Sequence, residues 1–145
     1  RNGVPEKPGL HEFLSWLKEH SIKIAVATST TRRVAEDYWK QSGIDRYIDA
    51  SVCGDEVINS KPDPEIFLKA ASLLKVPIAA CMVAEDSING LKAARAAGAI
   101  SCMIPDLTPY TKKLFPFCDY VSPSLLACKE ILLQTPEADK LKSWK

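Results

Sequence analysis

Short apolar runs that alternate with helical patterns are the feature that most constrains the fold of this chain. The run 22–27 is apolar except for Lys23 and rich in β-branched residues, and it ends in the polar turn 28–31. A near-continuous apolar run of this length is typical of a strand buried on both faces of a parallel sheet. Further strands are predicted at 48–53, 80–84, 100–104 and 120–121.

Segments with helical spacing of apolar residues separate these runs. In the first, Leu10, Phe13, Leu14 and Leu17 recur at three- and four-residue intervals. Further helices are predicted over 32–41, 64–75, 87–97 and 125–133, with Asp63 as the N-cap of the second of these. This alternation predicts an α/β fold, a Rossmann-like three-layer α/β/α core with a mainly parallel sheet. In such folds ligands bind at the carboxyl ends of the strands.

Length and composition favour one domain of this kind. The chain has 145 residues, of which 46% are hydrophobic, enough for one buried core. We expect the core to extend over 9–134, with 135–145 as a polar carboxyl-terminal tail. The first residue is an arginine, so we expect the chain to be part of a longer protein.

Charge, hydropathy and cysteine spacing argue against several classes of function. The formal charge of +1 gives no electrostatic reason to expect nucleic acid or an anionic membrane as a partner. The longest strongly apolar stretch, 78–84, is far shorter than the roughly 20 residues that cross a bilayer. The five cysteines form no C-x-x-C pair. This favours free thiols in a reducing cytoplasm over the alternative of a metal–thiolate site.

The turn 28–31 follows the first predicted strand with consecutive hydroxyl groups. Thr28 and Ser29 stand between a buried strand and a helix, where hydroxyls and helix amides can donate to phosphate oxygens. The alternative is that one of these hydroxyls only caps the helix.

Lys61 lies in the second polar turn, at the entrance to a helix. Pro62 and Pro64 stiffen the backbone after it, which lowers the entropy cost of fixing the lysine side chain. A lysine in a loop is otherwise usually a solvated surface residue, so this turn alone leaves both interpretations open.

Two acids, Glu85 and Asp86, follow another apolar strand. Adjacent carboxylates that leave water are costly unless a cation or hydrogen-bond donors meet them. A hard divalent ion such as Mg²⁺, which takes oxygen ligands, would meet that cost. Capping of the next helix by Asp86 or Ser87 is the alternative, but it leaves Glu85 unexplained.

A hydroxyl cluster, a fixed lysine and an acidic pair at one edge of a sheet are the parts of a phosphoryl-transfer site. Catalysis of that reaction depends on positioning and on neutralising the charge of phosphate oxygens. We therefore expect Thr28, Lys61 and the pair Glu85 and Asp86 to gather around one pocket.

Three segments together resemble a known family. Ala-Thr-Ser-Thr at 27–30, Ser-Lys-Pro-Asp-Pro-Glu-Ile-Phe at 60–67 and Val-Ala-Glu-Asp-Ser-Ile-Asn-Gly at 83–90 resemble motifs two, three and four of the haloacid dehalogenase superfamily. Within it, the chain looks most like the β-phosphoglucomutase-like branch of small sugar-phosphate phosphatases and mutases. The resemblance implies a Mg²⁺-dependent phosphatase or phosphomutase that acts on a small phosphorylated metabolite through an aspartyl-phosphate.

The resemblance also implies roles for the matching residues. Thr28 and Ser29 would hold the phosphoryl group, and Lys61 would steady the nucleophile and the phosphoryl charge. Glu85 and Asp86 would bind Mg²⁺. The residues implied to support that last turn are Ser87, Asn89 and Gly90.

The family's first motif, an Asp-x-Asp pair that supplies the nucleophile and the general acid/base, has no match in this chain. Asp63 and Glu65 have the right separation, but they open a helix instead of following a strand. In this branch the motif lies upstream of a cap domain that precedes the segment matching Gly9, so the resemblance implies that residues 1–8 are a linker from that cap domain. The resemblance therefore implies an amino-terminal segment with the nucleophile and cap, and no turnover by this chain alone.

Two other interpretations remain open at this point. A noncatalytic module of the same fold would use the phosphate and metal pocket for binding or regulation. A response-regulator-like receiver shares the acidic strand end, but its lysine should follow the last strand, whereas Lys61 precedes the acidic pair.

Overall fold

The structure is a computed structural model that describes residues 9–104, 115–134 and 143–144. The α-helices in these residues are α1 Leu10–Glu19, α2 Arg32–Ser42, α3 Glu65–Leu74, α4 Ile88–Ala97 and α5 Cys128–Gln134. The strands are β1 Lys23–Ala27, β2 Ala50–Val52, β3 Cys81–Glu85, β4 Ile100–Met103, β5 Tyr120–Val121 and β6 Ser143–Trp144.

The strands form one six-stranded sheet in the order β2-β1-β6-β3-β4-β5. Each described pairing in it is parallel. This confirms the predicted α/β class with a parallel sheet. The carboxyl ends of β1 and β3, which flank β6, therefore meet at the same edge of the sheet.

Strand β6 differs from the expected carboxyl-terminal tail. Residues 135–142 lie outside the described part of the chain, but Ser143 and Trp144 pair with Lys23 and Ile24 of β1 and with the first two residues of β3. The polar composition of this stretch predicted a segment in solvent. Backbone groups on the facing edges of β1 and β3 need partners, and these two residues supply some of them.

Helices cover both faces of the sheet and give it two separate cores. Helices α1, α2 and α5 pack on one face, with Phe13 and Leu17 fully buried there. Helices α3 and α4 pack on the other, around Phe67. Successive residues of a strand point to opposite faces, so Met82 belongs to the first core and Val83 to the second. The three-layer arrangement leaves the strand ends as the accessible edge.

Helix ends follow the expected chemistry with small shifts. Gly43 and Gly98 end α2 and α4 in the left-handed conformation, at φ 78° and 88°. Helix α3 begins at Glu65, one residue later than predicted, and the Glu65 N–H donates to Asp63 Oδ1 at 3.0 Å. Asp63 therefore still satisfies a free amide of the first turn.

The described residues also bear on two of the expected properties. None of their helices is long and apolar enough to cross a membrane. All five cysteines are free thiols, and four of them are buried, which leaves Cys118 partly exposed.

Candidate active site

Lys61 joins the ends of two strands that are far apart in the sequence. Its Nζ donates to Glu85 Oε2 at 2.9 Å and to the backbone oxygen of Ala27 at 3.5 Å. Ala27 ends β1 and Glu85 ends β3, so the lysine spans the sheet edge above β6. The Lys61 and Glu85 side chains are each only 13% exposed. Because both charges have largely left water, each offsets the cost of burying the other.

The loop that leads to Lys61 is held by Glu65. Its carboxylate accepts from the N–H groups of Ile58 and Asn59, at 2.9 and 3.0 Å. These backbone hydrogen bonds lower the pKa of Glu65 below its ordinary value, so the carboxylate stays charged and keeps accepting from both amides. The sequence predicts a stiff backbone here from the prolines alone. Glu65 accepts hydrogen bonds from residues six and seven positions earlier, and neither helical nor strand periodicity predicts such a contact.

The Glu85 carboxylate meets protein donors on both oxygens. Oε1 accepts from the Asp86 N–H and from the Ser87 hydroxyl, each at 3.2 Å, while Oε2 accepts from Lys61. The sequence argument for a cation rested on the cost of two acids leaving water. These three donors meet that cost for Glu85, so the argument is weaker for Glu85 than the sequence indicated.

Ser87 and Gly90 shape the turn that carries Glu85. Ser87 is the N-cap of α4, and its hydroxyl accepts from the Gly90 N–H at 3.1 Å. Gly90 is buried, and a Cβ placed on it would overlap the Glu85 carboxyl group. Asn89 lies exposed on the first turn of α4.

The turn after β1 does not use its hydroxyls to cap α2. Thr31 occupies the N-cap position without a side-chain cap, and Asp55 Oδ1 accepts from the Arg32 N–H at 3.0 Å instead. Thr28 Oγ1 accepts from the Thr30 N–H at 3.2 Å. Ser29 is exposed. The capping alternative therefore does not explain these hydroxyls.

The loop after β2 packs against this turn, and sequence reasoning missed it. The Gly54 N–H donates to the Thr30 carbonyl at 2.9 Å, and a Cβ on Gly54 would overlap the Ser29 carbonyl. The Thr28 N–H donates to the Val52 carbonyl at 3.0 Å. These contacts join residues more than 20 positions apart, so no local sequence motif predicts them.

The direct contacts at the sheet edge thus join Lys61 to Glu85 and to the residue before Thr28. A small cavity of about 80 Å³ opens beside them, lined by Ala84, Glu85, Asp86, Ile104 and Leu125. In the described ranges no group of three or more His, Cys, Asp or Glu side chains could hold a metal ion. Mg²⁺ commonly binds one or two carboxylates together with waters and phosphate oxygens. The oxygen donors of Glu85 and Asp86 fit that partial set.

Comparison with known proteins agrees with this architecture. A family of hydrolases described as haloacid dehalogenase-like matches residues 2–98. The "Phosphorylated carbohydrates phosphatase" of Thermotoga maritima is 43% identical over 95 residues, which cover 66% of this chain and 44% of that protein.

Two solved structures share the fold. CbbY of Rhodobacter sphaeroides, in complex with phosphate, is 31% identical with a TM-score of 0.74, covering 82% of this chain and 54% of that one. The β-phosphoglucomutase of Clostridium difficile is 25% identical with a TM-score of 0.77, covering 92% of this chain and 56% of that one. The chain therefore spans about half the length of these relatives. Because the family pattern matches well over half of its residues, the chain belongs to the haloacid dehalogenase-like hydrolases.

Proposed function

We propose that this chain is the core of a Mg²⁺-dependent phosphatase or phosphomutase that acts on a small phosphorylated metabolite, of sugar-phosphate type, through an aspartyl-phosphate. One observation carries the proposal. The Lys61–Glu85 pair lies at the carboxyl edge of the sheet and connects the end of β1, which Thr28 follows, to the acids that end β3. A cation and an acidic pair at this edge are what phosphoryl transfer requires.

In this site the two turns would bind different parts of the reacting group. The exposed Ser29 hydroxyl and Thr28 would donate to phosphate oxygens, and the Lys61 ammonium would offset their charge. Since Lys61 already contacts Glu85, its position is fixed before a phosphate arrives. Such preorganisation avoids reorganisation during the reaction.

A magnesium ion would be held by Asp86 and Glu85, with Ser87, Asn89 and Gly90 supporting their turn. When bound, it would neutralise charge on the phosphate oxygens. Because Glu85 is shared with Lys61, we expect Asp86 to be the stronger ligand. Chelation of divalent ions should then abolish the activity of the parent protein.

The nucleophile would come from a strand of the parent protein that lies between β1 and β3. In the described part of the chain, β6 pairs with only the first two residues of each of these strands. The later residues, Ala25–Ala27 and Val83–Glu85, have no strand between them there. A parallel strand at this position would extend or replace β6. It would end beside Lys61, where a nucleophilic aspartate belongs.

The substrate class rests on the relatives alone. One is named a phosphorylated carbohydrates phosphatase and another a β-phosphoglucomutase, so a sugar phosphate is the natural candidate. The cap domain that would select among such substrates is expected in the amino-terminal part of the parent protein. A cytoplasmic location, inferred from the free thiols, is part of the same proposal.

Hydrolysis of p-nitrophenyl phosphate with Mg²⁺ tests the proposal, measured on this chain and on the parent protein. The parent should turn over and this chain should not. In the parent, Lys61→Ala and Asp86→Ala should each lower kcat by about 100-fold or more. Lys40→Ala and Asp37→Ala, which remove the same charges from the exposed face of α2, are the matched controls.

The outcomes separate the enzyme from the noncatalytic alternative. A parent protein without turnover that still binds phosphate would favour the noncatalytic module. Robust turnover by this chain alone would contradict the assignment of the nucleophile to another segment. Unchanged rates for Lys61→Ala and Asp86→Ala would refute their roles.

A further inference from the structure

The turn that carries Thr28 and Ser29 is fastened to the loop after β2 by one guanidinium. Arg32 Nε and Nη2 donate to the two oxygens of Glu56, at 2.5 and 2.9 Å. The same guanidinium donates to the hydroxyl and the carbonyl of Ser51, each at 3.1 Å. Arg32 is the first residue of α2, so these bonds fix the point where the turn enters the helix.

Glu56 is itself held in place by the loop it belongs to. Its Oε1 also accepts from the Cys53 N–H at 2.9 Å. The hydrogen bonds from Arg32, followed by the one from Cys53, lower the pKa of Glu56 to about 2. The carboxylate is therefore charged throughout the neutral range, and the pair does not open with ordinary changes of pH.

The loop 53–56, which the Arg32–Glu56 contact holds, lies close against the backbone of the turn 28–31. Gly54, two residues before Glu56, leaves no room for a Cβ because the Ser29 carbonyl lies against it. The Arg32 N–H is satisfied by Asp55 of the same loop. Movement of the loop 53–56 would therefore move the hydroxyl turn. The pair itself is partly exposed, at 31% for Arg32 and 38% for Glu56, and such pairs contribute little to stability.

We propose that Arg32 and Glu56 are positioning residues for the phosphate-binding turn. They act through the backbone of 28–31 and set how tightly that turn binds phosphate. This inference rests on the proposed function, because it takes phosphate as the ligand of the turn.

A second carboxylate that pairs with Arg32 provides a matched control. Arg32 Nη1 also pairs with Glu36 at 3.1 Å, but Glu36 lies one turn further along α2 and belongs to the helix instead of the loop after β2. Glu36→Gln removes one carboxylate from the guanidinium and leaves the fastening intact. Glu56→Gln removes the same charge and weakens the contact between the guanidinium and the loop.

The experiment is a titration of inorganic phosphate with Mg²⁺ into the full chain, followed by NMR of the backbone amides of residues 29–31. Arg32→Gln and Glu56→Gln should each raise the dissociation constant about tenfold. Glu36→Gln should change it less than about twofold. The double variant Arg32→Gln with Glu56→Gln should bind no more weakly than the weaker single variant, because the two residues act as one unit.

The outcomes distinguish this inference from the proposed function. If phosphate leaves these amides unchanged in the unsubstituted chain, the proposed phosphate site fails. If the chain binds phosphate and Glu56→Gln binds equally well, the positioning inference alone is overturned. If Arg32→Gln weakens binding and Glu56→Gln does not, Arg32 binds phosphate directly, which also overturns it.

A purely structural role gives a different pattern. It would lower the midpoint of thermal unfolding in Glu56→Gln while phosphate affinity well below that midpoint stays unchanged, and this result would overturn the inference. Should Arg32→Gln not fold, Arg32→Lys decides, since it keeps the charge and loses the two-pronged contact. We expect it to weaken phosphate binding severalfold, and unchanged binding would count against the inference.

Discussion

The turns after β1 and β3 hold their functional groups in different ways. The turn after β3 is self-contained, since Glu85, Ser87 and Gly90 bond to one another within six residues. The turn after β1 depends on the loop 53–56, more than 20 residues away, for its support. A local turn needs only its own sequence to form, whereas the other needs the fold around it.

Lys61 connects these two kinds of turn. It comes from a third loop, which Glu65 fixes, and it reaches the Glu85 carboxylate and the Ala27 carbonyl. The site is therefore built from three segments: the turn after β1, the turn after β3 and the loop that carries Lys61. Local sequence contributes least to the turn after β1, and Lys61 contributes most to joining the segments.

Lys61→Met should have the largest effect, because it removes the connection between the turns. Methionine keeps the apolar stem but leaves Glu85 buried without its cation. We expect a loss of about 2 kcal/mol in the free energy of unfolding and a loss of about 100-fold or more in parent kcat. Urea unfolding and steady-state kinetics measure the two effects. The double variant with Glu85→Gln should recover part of the stability and none of the activity, and additive stability losses would contradict the pairing.

Substituting one glycine near each turn compares the two turns directly. Gly54→Ala forces a Cβ against the Ser29 backbone, and a backbone cannot change rotamer to remove the overlap. We therefore expect a loss of about 2 kcal/mol in the free energy of unfolding.

Gly90→Ala meets the Glu85 side chain from Cγ outward, and that side chain must shift away from Lys61. Alanine favours a helix over glycine by about 1 kcal/mol, which offsets part of this cost, so we expect a net loss of about 1 kcal/mol, smaller than for Gly54→Ala. Displacing Glu85 should nevertheless lower parent kcat about tenfold or more. Thermal unfolding and kinetics of both variants decide the comparison, and a larger stability loss for Gly90→Ala would break it.

Low pH should weaken the Arg32–Glu56 pair, which supports the turn after β1. The expected loss in the free energy of unfolding is smaller than for Lys61→Met or Gly54→Ala. Arg32 lowers the pKa of Glu56 from its ordinary value of 4.5 to about 2. Because the folded-state pKa is the lower one, the stabilisation is fully present above about pH 4.5 and is lost as the pH falls towards 2. The pair is partly exposed, so solvent screening limits the effect to about 1 kcal/mol.

The measurement is the free energy of unfolding against pH for the unsubstituted chain and for Glu56→Gln. The difference between them should shrink as the pH falls through this range. A constant difference would show that the low pKa of Glu56 does not stabilise the fold.

The sequence predicted those parts of the molecule whose structure is determined by neighbouring residues in the chain. Strand β1 and helix α4 lie within one or two residues of their predicted bounds, because apolar spacing and the Ser87 cap are local signals. The pairing of β6 was not predicted, since it depends on which strand edges stand free. The Arg32–Glu56 contact was also missed, because the fold brings its two residues together across 24 positions.

The central claim is that the ends of β1 and β3 form one phosphate site, and one titration tests it most directly. Inorganic phosphate with Mg²⁺ is added to the chain while the backbone amides of residues 29–31 and 86–89 are followed by NMR. Both turns should respond with one shared dissociation constant, and both responses should weaken together in Lys61→Met. A response confined to one turn, or two clearly different constants, would contradict the claim.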